Sequence, residues 1–245
     1  MNVYLNKITG IDDAIVSMYM SKRTWTRELE EKIRNAVYAC TNRKGAISEV
    51  AATERNEEHS KLFFEELGKV CKWGKRHMTM LRFVDISVTV EGMHRAGQDD
   101  VDSHAQRFNN RIIRSSTRLA KYHSGEVSDY YADKIIPTDV ALAVLGISVP
   151  EKLEYEGKTY VKTVNGYVLE GMENNKDALR GLYMLSIPSN FIFKCQLTEW
   201  AHIYKERNKN GTANPEVKEF CEAVCDQLEA MIPQFNRELL EAIPN

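Results

Sequence analysis

The sequence predicts an α+β fold: a mixed or antiparallel sheet with long helices and a small β-hairpin insertion. Two observations support this class. Apolar residues alternate with polar ones in short segments at 83–90 and 189–196, and they recur at helical spacing in long segments elsewhere. Strand and helix patterns do not alternate in a regular βαβ rhythm, which disfavours a doubly wound parallel sheet.

Three segments have the period-two pattern of half-buried strands. In residues 83–90, the even positions from Val84 to Val90 are apolar and the intervening ones are polar. Residues 189–196 predict a second strand, because they alternate in the same way. At the N-terminus, Val3 and Leu5 begin a third. The inward residues of the second strand are predicted to be Phe191, Phe193 and Cys195.

Two segments predict long amphipathic helices. The first covers residues 56–72 and has five apolar residues on its inner face: Phe63, Phe64, Leu67, Val70 and Cys71. The last helix opens at Asn214-Pro215-Glu216, where Asn caps the helix, Pro suits the first turn and Glu favours the positive end of the dipole. Pro233 ends it.

Residues 151–171 predict a small hairpin. Glu156-Gly157 is a turn signal, and Asn165-Gly166 is the strongest short hairpin signal. We expect a single domain over residues 1–245, with residues 123–180 forming an insertion that includes this hairpin.

Composition narrows the function classes. The chain has 245 residues, with 33 Lys and Arg against 35 Asp and Glu, so its net charge of −2 disfavours a nucleic-acid partner. No apolar run approaches the length of a membrane span, so no membrane association is expected. Five cysteines without a CxxC pair predict neither a disulfide framework nor a metal site, and they favour a cytoplasmic setting. Cys221 and Cys225 fall on the apolar face of the last helix, so we interpret them as core residues.

Residues 102–121 contain an unusual series of arginines at steps of four, three and four. On a helix they would share one face: Arg107, Arg111, Arg114 and Arg118. One interpretation is a solvated face paired with Asp or Glu from elsewhere. The other is an anion-binding surface, because guanidinium groups offer bidentate donors to phosphate. Neighbouring Ser and Asn residues favour the second: Asn109, Asn110, Ser115 and Ser116.

A second segment, residues 196–207, runs from a strand end into a helix. Taken alone, His202 is more often a structural histidine and Arg207 more often a surface charge. The sequence has no GxGxxG, P-loop, HExxH or GxSxG pattern, so the serine-hydrolase and zinc-hydrolase classes lack support.

The C-terminal third resembles the flavin-dependent thymidylate synthases, the ThyX family. That family's later motif runs Asn-x-Arg-x-x-x-His-x-x-x-x-Arg, and here Gln196 stands at the Asn, His202 at the His and Arg207 at the final Arg. Ala213, Glu216 and Val217 follow as in the family, and Ile187-Pro188 resembles its Leu-Pro. Farther upstream, Trp73-Gly74 and residues 86–92 resemble family elements.

The family signature, Arg-His-Arg-x-x-Ser-x-Asn-x-x-Ser-x-Arg, is matched in part. Its Ser-x-Arg end corresponds to Ser116 and Arg118. His104 fits its His only with about three extra residues between them, and Ser103 and Ala105 then replace the flanking arginines. Without that insertion, Gln106-Arg107-Phe108 occupies the Arg-His-Arg position. Met184 stands where the family has an arginine before Leu-Pro, and Arg180 precedes it by one turn.

The resemblance implies a ThyX-like fold, a homotetramer with sites between subunits, and bound FAD. The reaction would convert dUMP to dTMP with carbon from methylenetetrahydrofolate, hydride from reduced flavin and NADPH as reductant. Arg207 would be the catalytic residue, favouring the ionised uracil ring. The residues implied to bind dUMP are Ser116, Arg118, Arg114 and Arg180. Those implied to line the flavin are His104, Arg107, Gln196 and His202.

Two alternatives remain. The rewritten signature is compatible with a related pyrimidine-nucleotide-modifying flavoenzyme that uses another substrate or carbon donor. It is also compatible with a non-catalytic nucleotide-binding protein on the same fold. From the family role of Arg207, we expect Arg207→Lys to melt normally, retain FAD and lose most dTMP formation.

Overall fold

The computed structural model describes residues 1–41, 57–103, 111–115, 133, 136, 138–163, 166–175, 182, 187–209 and 214–244. Helices and strands are mixed along this part of the chain, which confirms the α+β class. The strands are β1 Asn2–Thr9, β2 Asp85–His94, β3 Arg111–Arg114, β4 Lys152–Tyr155, β5 Lys158–Thr163, β6 Gly166–Leu169 and β7 Pro188–Gln196. The helices are α1 Ile11–Ser21, α2 Arg27–Thr41, α3 Glu57–Gly74, α4 Arg95–Ser103, α5 Thr138–Val144, α6 Leu197–Tyr204, α7 Pro215–Met231 and α8 Arg237–Ala242.

Four strands form one sheet in the order β1-β2-β7-β3. The three predicted strands of this sheet are confirmed. In β2 and the residue before it, Val84, Ile86, Val88 and Val90 have no exposed surface, as their alternation predicts for a buried sheet face. Phe191, Phe193 and Cys195 of β7 are buried in the same way. Phe83 is excluded from the strand and lies in a short 3₁₀ turn.

The chain divides into two compact units. The first comprises Met1–Asn2, Glu91–Asp99 and Arg114–Phe191, and the second comprises Val3–Val90, Asp100–Ile113 and Ile192–Asn245. The expected insertion at 123–180 stays a prediction.

Within the first unit, β4, β5 and β6 form a three-stranded antiparallel sheet where a hairpin was predicted. Glu156 and Gly157 both have positive φ, which makes the predicted tight turn between β4 and β5. The second turn differs from the prediction. Gly166 pairs with Thr163 and begins β6, so it is a strand residue and not a central turn residue.

The second unit contains most of the helices and a dense aromatic core. Trp200 of α6 meets Phe220 of α7 edge to face, with ring centroids 5.5 Å apart, and both side chains are fully buried. Helix α3 confirms the predicted helix at 56–72, although Phe64 is only partly buried. Among the described residues, no helix is long and apolar enough to cross a membrane.

Helix α7 begins as predicted, because the side chain of Asn214 accepts a hydrogen bond from the Glu216 N–H at 3.0 Å. It ends at Met231, two residues before Pro233. Cys221 and Cys225 are buried on its inner face, which confirms their core role. Burial raises the pKa of the Cys225 thiol to about 12.

Candidate active site

Residues 196–207, which carry the second family motif, begin at a junction between strand β7 and helix α6 that is fixed by the core. β7 ends at Gln196, and the N–H of Leu197, the first residue of α6, donates a hydrogen bond to the Val84 carbonyl at 2.8 Å. Leu197 and Trp200 are fully buried, so one face of α6 is fixed. Gln196 and His202 are partly buried.

Arg207 lies in a π-helical turn, Lys205–Lys209, that continues α6. Hydrogen bonds fix this turn on either side of Arg207. Lys205 donates a hydrogen bond to the Ile243 carbonyl at 2.7 Å, and the Asn208 amide donates to Glu222 of α7. Single π turns inside helices occur frequently at functional sites. The turn therefore gives Arg207 a fixed backbone from which its side chain extends.

The guanidinium of Arg207 binds the last turn of α4. Its Nη2 donates to the backbone carbonyl of Asp100 at 2.8 Å and to Oγ of Ser103 at 3.0 Å. The Asp100 carboxylate lies 3.7 Å from the same nitrogen. The last carbonyls of a helix lack intrahelical partners, and a cation there also interacts favourably with the helix dipole. Arg207 thus stabilises the C-terminal end of α4.

The Nε donor of Arg207 takes no part in these contacts. Its side chain is only 12% exposed, and its Nε is buried with no hydrogen-bond partner in the described part of the chain. A buried N–H of a charged group is expensive to leave unmatched, so this atom points to an acceptor supplied by something other than these residues.

Arg114, in the first unit, is paired with an acidic residue. Its Nη1 donates to Oδ1 of Asp99 at 2.7 Å, and its Nη2 donates to the Gln98 carbonyl at 3.2 Å. For this arginine the structure shows the carboxylate pairing that was the first interpretation of the series. A phosphate would have to share the guanidinium with Asp99.

The predicted helical face of arginines is wrong where the structure describes it. Residues 111–114 form strand β3, and the Ser115 N–H donates to the Asn190 carbonyl of β7 at 2.8 Å. A step of three keeps residues on one face of a helix but not of a strand, so the shared face required a helix that the backbone does not form here.

Four of the predicted site residues lie in the described part of the chain: Arg114, Gln196, His202 and Arg207. The other predicted site residues lie outside it: His104, Arg107, Ser116, Arg118 and Arg180.

The partners of Arg207, Asp100 and Ser103, were missed from sequence. Asp99, Asp100 and Asp102 in the last half of α4 oppose the helix dipole. That acidic run is a signal that cations must lie nearby, and it could have indicated the contact.

Known proteins resemble this chain in sequence family and in fold. The family described as thymidylate synthase complementing protein matches residues 23–234. A search of curated proteins finds no match. A crystal structure of flavin-dependent thymidylate synthase ThyX from Helicobacter pylori, complexed with FAD and dUMP, has a TM-score of 0.52 and 9% identity, covering 97% of this chain and 100% of that one.

A second Helicobacter pylori ThyX structure with FAD and dUMP has a TM-score of 0.52 and 11% identity, covering 98% of this chain and 100% of that one. A structure of the UMP/dUMP methylase PolB from Streptomyces cacaoi, bound with 5-Br dUMP, has a TM-score of 0.49 and 12% identity, covering 98% of this chain and 93% of that one. At such low identity, the two ThyX matches show a shared fold. The family match spans most of the sequence, and the chain therefore belongs to the thymidylate synthase complementing protein (ThyX) family, whose members are flavin-dependent enzymes that transfer a methyl group.

Proposed function

We propose that this protein is a flavin-dependent thymidylate synthase that converts dUMP to dTMP. In this reaction the carbon would come from methylenetetrahydrofolate and the hydride from reduced FAD, with NADPH as the reductant of the flavin. The observation that carries the proposal is Arg207. It stands where the family motif ends, and its buried Nε has no acceptor among the described residues. A pyrimidine ring that develops negative charge is an acceptor of the required kind.

The residues present fit a flavin and a nucleotide. Gln196 and His202 offer an amide and an imidazole, both partly buried, as hydrogen-bonding groups for the polar edge of a flavin ring. His104 and Arg107 complete the proposed flavin set. When bound, the reduced flavin supplies the hydride that the reaction needs. This chain's own task is then to orient the ligands and to favour the ionised form of the pyrimidine.

The residues proposed to bind the phosphate of dUMP differ in what supports them. Ser116, Arg118 and Arg180 rest on the family motif and its neighbourhood. Arg114 is already bound to Asp99, and its side chain is only 17% exposed. A phosphate at Arg114 must compete with that carboxylate, so we assign the main phosphate contact to Arg118. Arg118→Ala is then expected to weaken dUMP binding more than Arg114→Ala, as measured by calorimetry.

Purified protein provides the first test. We expect it to be yellow with flavin absorbance, and to form dTMP from dUMP, methylenetetrahydrofolate and NADPH, detected by mass spectrometry. It should also support growth of a thymidine-requiring strain. A colourless protein that cannot be loaded with FAD would favour a non-catalytic nucleotide-binding role.

A second candidate function is a related pyrimidine-nucleotide methylation by the same flavin chemistry. Ser103 favours it, because this residue flanks His104 where the family signature has an arginine, and its hydroxyl is bound to Arg207. A protein that binds FAD and methylates UMP or another pyrimidine nucleotide, while leaving dUMP unchanged, would establish this candidate.

We further infer a homotetramer in which arginines of one subunit complete the site of another, since this arrangement accompanies the ThyX resemblance. Light scattering of the active protein should give four chains per particle. An active monomer at micromolar concentration would exclude shared sites.

A further inference from the structure

A large cavity in the second unit is lined by residues that the proposed site does not use. It has a volume of about 1040 Å³ and lies between the C-terminal part of α3 with its following turn, the end of α1, and the segment that leads into α8. This volume is at the upper end of the range typical of small-molecule sites.

The cavity is strongly basic in a chain of net charge −2. Five cationic side chains line it, against the single carboxylate of Glu238: Lys22, Lys69, Lys72, Lys75 and Arg76. Two of them are neutralised, because Lys69 binds Glu66 at 2.6 Å and Lys75 binds Glu238. The other three, Lys22, Lys72 and Arg76, form no ion pair with the carboxylates of the described residues.

Helix ends explain only part of this charge. Helices α1 and α3 both end beside the cavity, and each C-terminus carries roughly half a negative charge. Together they offset about one of these three cations, which have no carboxylate partner in the described part of the chain. Several cations around one cavity create a positive potential inside it, so the remaining charge favours an anionic ligand there.

An aromatic pair, Trp73 and His77, also lines the cavity. The Nζ of Lys22 lies 4.5 Å from the ring centroid of Trp73, and the rings of Trp73 and His77 are 6.1 Å apart. The cation–π contact fixes the flexible Lys22 side chain. Gln234 and Asn236 add amide groups on the opposite wall. Cations contributed by the end of α1 and by α3 with its following turn suit a ligand with several linked anionic groups. The aromatic rings suit a flat base.

We propose that this cavity binds a ligand that carries a chain of two or more phosphates. Lys72 and Arg76 contact the phosphates, and Lys22 is held against Trp73 to contact them as well. A nucleoside triphosphate and inorganic tripolyphosphate share this chemistry. They differ in the base, which only the nucleotide can place beside Trp73 and His77.

Titration calorimetry on protein saturated with FAD tests the proposal. Because the flavin site is then filled, the heat of binding cannot come from a probe that enters it. Tripolyphosphate and ATP are titrated separately at low ionic strength in a buffer without phosphate. Lys72→Gln and Arg76→Gln should each weaken binding about fivefold to tenfold, and the double variant should show none. Lys61→Gln is the matched control, since Lys61 is an exposed lysine of α3 that does not line the cavity.

Trp73→Phe distinguishes the two sources. A larger loss for ATP than for tripolyphosphate identifies a nucleotide, and an equal loss identifies the phosphate chain alone. The proposal is overturned if FAD-saturated wild type binds neither probe at millimolar concentration. It is equally overturned if Lys61→Gln weakens binding as much as Arg76→Gln does. Unchanged melting temperatures establish that the exposed substitutions leave the fold intact.

Discussion

Replacing Arg207 by lysine separates the two roles that its position allows. The guanidinium donates to both the Asp100 carbonyl and the Ser103 hydroxyl through one nitrogen, and its side chain is 12% exposed. Lysine keeps the charge but lacks the planar fork, so it can replace one of these contacts at most while reaching a substrate. The family role alone predicted normal melting for this variant. The contacts with α4 change that expectation.

The loss in free energy of unfolding can be calculated from the contacts of Arg207. A hydrogen bond to a charged group contributes about 1.5–3 kcal/mol, and lysine should retain part of it. We therefore expect Arg207→Lys to lower the free energy of unfolding by about 1–2 kcal/mol. For a chain of this size, that corresponds to a fall in melting temperature of about 2–8 °C. If Arg207 also stabilises charge on the uracil, turnover falls by about 10²–10³.

Ser103→Ala is the matched control. It removes one partner of Arg207 and leaves the guanidinium in place, so it should cost stability without a comparable loss of turnover. The assay is dTMP formation by protein loaded with FAD, together with thermal melting of both variants. Full activity of Arg207→Lys would refute the catalytic assignment. Equal losses of turnover in both variants would show that Arg207 acts only by fixing the end of α4.

Four further predictions concern the fold. Cys71 and Cys225 should resist thiol reagents in the native protein at pH 8 and react after unfolding, because burial raises the pKa of each thiol to about 12 and lowers the thiolate fraction about a thousandfold. Asn214→Ala should lower the free energy of unfolding in urea by about 1 kcal/mol through loss of the α7 cap, with Asn214→Ser recovering most of it. Gly10→Ala should destabilise by more than about 2 kcal/mol, because Gly10 has φ +78° and an added Cβ would lie 1.9 Å from the Phe83 carbonyl oxygen. Gly68→Ala should stabilise by about 0.5–1 kcal/mol in the same melts, since nothing lies within 4 Å of its added Cβ.

The strands and long helices were predictable because their buried positions are apolar and recur with the period of the element. The apolar positions of β2 from Ile86 to Val90 are fully buried, so the residues that must pack in the core recur at the period of a strand. The same holds for α7, whose inner face alternates at three and four residues. Core packing depends on residue type and spacing, and both are visible in one chain.

The prediction that the arginine series lies on a helix was wrong because the spacing of polar residues does not reveal the secondary structure. Nothing about an exposed guanidinium distinguishes a helix from a strand, whereas Ile112-Ile113 between Arg111 and Arg114 are β-branched and favour the strand that forms. Ile113 is also 70% exposed, so no apolar face was available to mark the period. Spacing among charged residues predicts a surface only when an independent signal fixes the secondary structure.

The contact between Arg207 and α4 lies beyond local pattern, because 104 residues separate Arg207 from Ser103. It also bears on the altered signature. In the alignment that places His104 on the signature histidine, Ser103 stands where the family has an arginine. The serine hydroxyl accepts a hydrogen bond from Arg207 at 3.0 Å. An arginine side chain has only donors and could not accept this bond. The residue that departs from the family signature in this alignment therefore has a structural role in this chain, because it helps to hold Arg207 on the last turn of α4.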